Sequence, residues 1–172
     1  MSKGRPKNPT VEEIIHRAVH AQRVASERQP KDIFKATEKR LYAYPVIKLK
    51  IEDDRERIEE IEQHGAPGKS KSVVRFQKSG IRLSPAEIAE VLITDINAQI
   101  ASSEYEIDTI DKAINIIAGD QYADVITFKY FDGKTDEEIA KLIPCDPSTV
   151  RRNKSRLVGR IAVFLYGVAA VT

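Results

Sequence analysis

Tryptophan is absent from the 172 residues, cysteine and methionine occur once each, and aromatics make up only 6%. The single cysteine, Cys145, excludes an intrachain disulfide and any zinc site built on cysteines. No long hydrophobic run occurs. The longest uncharged apolar stretch is Ile161–Thr172, twelve residues, well short of the roughly 20 that span a bilayer. Met1–Lys7 is basic and then polar, without the apolar core of a signal peptide. With 31% charged and 41% hydrophobic residues, the chain is lean for one compact core yet too apolar for wholesale disorder. Secreted, disulfide-stapled and transmembrane classes are therefore not expected. The expectation is an all-α, partly extended protein of the cytoplasm, with no membrane partner.

What is present is segregated charge. The formal net charge is only +2, but its distribution is uneven. Ile51–Gln63 carries seven acids against Arg55 and Arg57, and Ser84–Asp124 carries nine acids against Lys112 alone. Gly65–Leu83 has five basic residues and no acid, and so does Pro147–Thr172. A local basic patch attracts polyanions whatever the overall sum.

The chain divides into four parts. Residues 1–63 read as an N-terminal helical region. Thr10 looks like an N-cap ahead of Glu12 and Glu13, and Ile14, Ile15, Ala18 and Val19 form an apolar stripe. Pro30 interrupts it, and a second helix starts near Asp32. Pro45 lies inside that helix and predicts a kink or break near Tyr44. Residues 64–83, punctuated by Gly65, Pro67, Gly68 and Gly80, read as a flexible basic linker.

Residues 84–118 read as one long helix opened by a capping box, Ser84-Pro85-Ala86-Glu87, and stopped by Gly119. Its heptad seams take Ala86, Ile93, Ile100, Ile107 and Ile114, and Ala89, Ile96, Ser103, Ile110 and Ile117. Nine of these ten are apolar, a coiled-coil or bundle pattern that must be buried. Two solutions stand equally: a hairpin folded back on the Asp32–Gln63 helix, or a homodimer through 84–118.

Residues 119–172 carry the functional signal. Asp120–Phe131 reads as one helix ended by Asp132-Gly133. Thr135 caps a short helix, Asp136–Ile143. Pro144-Cys145-Asp146-Pro147 turns the chain, and Ser148-Thr149 opens a basic helix. A short helix, a tight turn and a basic helix make a helix-turn-helix. Ile139, Ile143, Val150 and Leu157 are expected to bury together, with Ala140 at the close crossing. The exposed side then presents Ser148, Arg151, Arg152, Ser155 and Arg156. Arginine reads guanine bidentately, and basic side chains neutralise phosphates.

The stretch Asp124–Ala140, with Thr135-Asp-Glu-Glu-Ile-Ala140 at its end, followed by Ser148-Thr-Val-Arg-Arg152, resembles region 4 of the sigma-70 family, which reads the promoter −35 element. The layout as a whole resembles phage transcriptional regulators of the RinA and ArpU type. The resemblance implies a phage- or prophage-encoded regulator that binds double-stranded DNA in a bacterial host. It places Ser148, Thr149, Arg151, Arg152 and Ser155 at the bases. Lys134, Thr135, Lys154, Arg156 and Arg160 are expected at phosphates. Two positions depart from the pattern: Asn153 stands where a buried Ile or Leu is usual, and Pro144 where Gly is common in the turn. The first implies a rotated or loosely packed helix.

Other motifs read as ordinary. Gly68-Lys69-Ser70 is no phosphate loop, because Gln63 stands where the motif needs glycine and an acidic helix precedes it. Glu12, His16 and His20 share a helix face at ligand spacing but lack a further His or Cys nearby. The acids of 52–62 read as a solvated face. No nucleophile–base constellation occurs, so a non-enzyme without cofactor is expected. The alternative is a packaging factor like a small terminase, or an adaptor that grips bacterial RNA polymerase without reading bases.

Overall fold

The computed structural model describes residues 30–66 and 84–171. The expected helix after Thr10, the Glu12/His16/His20 face, Gly68-Lys69-Ser70 and most of the basic linker lie outside these residues. The described residues are all-helical, with no strand among them. In chain order the helices are α1 (Ile33–His64), α2 (Pro85–Asn115), α3 (Asp124–Ile126), α4 (Asp136–Leu142) and α5 (Pro147–Tyr166).

Helix α1 starts where an aspartate can cap it: the Asp32 carboxylate accepts from the Lys35 amide at 2.9 Å. It then runs 32 residues without interruption, straight through Pro45. The break expected at Tyr44 does not occur. An internal proline costs a helix ~3 kcal/mol. Apolar side chains on both sides of it, Leu41 and Tyr44 before and Ile47 and Ile51 after, pack into the core and hold the helix together. Gly65 ends it with φ +80°, a conformation that favours glycine, and its amide bonds to the Ile61 carbonyl at 2.8 Å.

The capping box that opens α2 is present in both halves, Ser84 and Glu87 each serving the other's backbone. α2 folds back antiparallel on α1. The pairing within one chain buries Ile51 and Ile61 against Leu92, Ile96 and Ile100, with Ile47, Ile58, Ala89, Ile93 and Ile107 at the edges. The expected heptad is only partly followed: Ala86 is exposed, while Leu92 and Ala113, off the seam, are buried. A straight helix drifts by about 20° per heptad, so a strict seven-residue count walks off the contact face.

Polar contacts fix the hairpin's register. Arg40 makes a two-pronged bond to Glu106 at 2.7 and 2.9 Å, in a part-buried site. Arg55 reaches Glu104 at 2.6 Å, and the Tyr44 hydroxyl donates to Asp111 at 2.6 Å. Burial, and then that bond, push the Tyr44 hydroxyl up to about 12, so it stays a donor at neutral pH.

The helix expected over 84–118 ends at Asn115, and turns over residues 116–123 lead into α3. Asp120–Phe131 is therefore not one helix. α3 passes into a π-helical turn, Thr127–Phe131, closed by Asp132 N–H donating to the Thr127 carbonyl at 3.1 Å. This places Tyr130 in the main core, fully enclosed with Leu41, Ile110, Ile117, Ile126, Leu157, Val158 and Ile161. Its hydroxyl donates to Glu38 at 2.7 Å, and burial followed by that bond raise its pKa strongly. Tyr44 stacks on Phe131 and Tyr42 meets Tyr130 edge-on. One core thus joins α1, α2, the π-turn and α5.

Candidate nucleic-acid interface

Three local devices build the α4–turn–α5 unit. Gly133, at φ +68°, turns the chain out of the π-helical segment. Thr135 then caps α4 with a full capping box to Glu138, and three acids sit in the first turn where the helix dipole favours them. Asp146 precedes Pro147, which occupies the first position of α5. The four residues Ile143–Asp146 make the turn, with Cys145 N–H bonded to the Ala140 carbonyl at 3.3 Å.

Val125, Ile139, Ala140 and Val150 form the core of this unit, with Ile143, Cys145 and Phe128 packed around them. Leu157 does not join them, as the sequence suggested; it points one turn further on, into the main core. α5 also begins earlier than expected, at Pro147, so Ser148 and Thr149 lie inside its first turn.

Val150, Asn153, Leu157, Val158, Ile161 and Ala162 form the buried face of α5. Ser148, Arg152 and Ser155 lie opposite and are exposed, and no ion pair reaches Arg152 among the described residues. Arg151 is exposed beside them, and Thr149 is half-buried. The chain puts no acid on this helix.

The flanks of that stripe differ. On one, Arg156 grips Asp120 with two bonds of 2.7 and 2.8 Å, and Arg160 adds a third at 3.3 Å. Both arginines were expected at phosphates; here they hold α5 to the 116–123 turn. The Arg156 bond and the Tyr122 amide hold the Asp120 carboxyl well below its usual range, at about 2. On the other flank, Asp136 faces Lys129 at 3.4 Å, Arg151 at 3.6 Å and Lys154 at 3.8 Å. Lys134 is half-buried nearby in sequence, and the Thr135 hydroxyl is committed to its cap.

Asn153 does not loosen the helix. It is buried, donates to the Thr149 carbonyl at 2.9 Å and accepts from Arg156 at 3.0 and 3.2 Å. A polar residue at a buried position is tolerated because its amide is satisfied on both sides.

A pH dependence follows from Asp120. Unfolded, its carboxyl titrates near pH 3.9; folded, it titrates at about 2. The pair therefore stabilises fully above the unfolded value, and the gain disappears as pH falls through the folded one. Melting temperatures of the wild type should fall more steeply between about pH 4 and 2 than those of Asp120→Asn. Parallel curves would show that Asp120 contributes nothing through its charge.

Sequence reasoning missed Lys129, Asp120 and Asp136 as neighbours of α5. Their pairing depends on the fold, and no local pattern signals it. Among the described residues no three His, Cys, Asp or Glu converge as metal ligands, and no helix is long and apolar enough to cross a membrane. No protein-family model, curated protein or solved structure matches the chain.

Proposed function

We propose that this protein is a sequence-specific regulator of transcription, phage- or prophage-encoded, that inserts α5 into the major groove of double-stranded DNA. The observation that carries the reading is the exposed stripe Ser148, Arg151, Arg152 and Ser155 on an acid-free helix, presented by a second helix across a four-residue turn. Hydroxyl and guanidinium groups are what base edges accept, and α5 is long enough to lie in the groove. The likeness of Asp124–Ala140 and Ser148–Arg152 to sigma-70 region 4 supports it. Arg151, Arg152 and Ser155 would meet bases, and Lys154 and Lys134 would meet phosphates.

The reading is tested by selection from random-sequence duplexes with purified protein at about 0.15 M salt, where weak charge contacts are screened. One enriched motif is the expected result, and its symmetry reports the number of half-sites. Absence of enrichment would overturn the reading in favour of a packaging factor or a polymerase adaptor.

A further inference from the structure

Two aspartates flank α5, and they hold their cations differently. Asp120 closes on Arg156 at charge-assisted hydrogen-bond distance. Asp136 does not. Its three cations, Lys129, Arg151 and Lys154, stand 3.4, 3.6 and 3.8 Å away, beyond the roughly 2.7–2.9 Å of a tight bond. Its Oδ1 is buried yet accepts no hydrogen bond. Lys129 and Lys154 are only 21% and 19% exposed, so their ammonium groups share one confined space. Three cations thus face this one carboxylate within 4 Å, beside the base-facing stripe.

Three elements converge to make this cluster: the π-helical turn supplies Lys129, the first turn of α4 supplies Asp136, and α5 supplies Arg151 and Lys154. A π-helical turn is a costly local geometry that recurs at functional sites. Here it sets Lys129 against the groove-facing helix.

We infer that Lys129 and Lys154 form a seat for a DNA backbone phosphate, and that Asp136, which also holds Arg151, is its internal competitor. In the free protein Asp136 occupies the cations. On DNA, a phosphate takes Lys129 and Lys154, and Arg151 is released toward the bases. The carboxylate thus suppresses attachment to arbitrary DNA, because a phosphate must outcompete it, and only sites that also reward Arg151 repay that cost. The inference rests on the proposed DNA reading.

The test compares wild type, Lys129→Gln and Asp136→Asn on a random-sequence duplex and on the selected duplex, over a salt series. Thermal melting of each variant, and Lys154→Gln as a second route to the same seat, guard against simple misfolding. Lys129→Gln should lower the slope of log affinity against log salt by about 0.9, the loss of one phosphate contact. Asp136→Asn should tighten random-duplex binding by roughly three- to tenfold and narrow the ratio between selected and random DNA. Unchanged slopes in both lysine variants, or unchanged random-duplex affinity in Asp136→Asn, would overturn the seat while specific binding by the wild type left the DNA reading standing. Absence of duplex binding in every protein would overturn both.

Discussion

Arg152→Ala is expected to weaken binding to the selected duplex by about 1–3 kcal/mol, roughly 5- to 150-fold, while random-duplex affinity changes little. The expectation follows from position. Arg152 lies at the middle of the outward stripe of α5, between Ser148 and Ser155, with no intramolecular ion pair among the described residues. Its guanidinium can approach guanine without first breaking a bond. Arg156, four residues on, is bound to Asp120 and Asn153. Its removal should therefore show in melting temperature more than in base preference. Titration of both duplexes at about 0.15 M salt separates the cases. Equal loss on the two duplexes would make Arg152 a phosphate contact, and no loss on either would remove α5 from the groove.

A larger effect, on stability, is expected of Leu157→Ala. Leu157 is wholly enclosed in the core shared by α1, α2, the π-turn and α5. Deleting it removes transfer energy and leaves a cavity, together about 2–5 kcal/mol. Leu142→Ala is the matched control: this leucine, in the last turn of α4, is 54% exposed. Its truncation should stay within about 0.5 kcal/mol. Denaturant unfolding of the two variants measures the difference. Similar midpoints would mean that α5 does not pack as described.

The helical class and several boundaries were readable because they are local. Asp32, Ser84 and Thr135 each sit where a side-chain oxygen can take an orphan amide, and the structure uses all three. The long apolar pattern required a partner helix but did not name it; either pairing buries isoleucine equally well, and the choice depended on α1 reaching back along α2. Pro45 misled because local cost is visible in sequence and tertiary compensation is not. The π-turn left no signal, since nothing in the residues Thr127–Phe131 distinguishes a π-turn from continuing α-helix.

At the candidate site, the acid-free stripe was legible from helical spacing alone. What sequence could not show was which basic residues were already engaged. Arg156 and Asp120 lie 36 positions apart, and Lys129 meets Asp136 only because Gly133 turns the chain between them. Asn153 departs from the family pattern, but its amide partners, Thr149 and Arg156, follow from helix geometry only once the face is known to be buried.

The expected boundary at residue 119 is crossed by shared core: Leu41 of α1 and Ile110 of α2 pack with Leu157 and Ile161 of α5. Helix α5 is therefore welded to an arm some 46 Å long, taking 31 residues of α2 at about 1.5 Å each. An arm sharing a core with α5 cannot swivel independently of it. Under the proposed reading, the compass direction in which the arm leaves the double helix is set by the position of the site along the DNA. Shifting that site by half a helical turn, about five base pairs, would swing the hairpin tip to the opposite side of the duplex. Any partner held at that tip would register helical phase as well as distance.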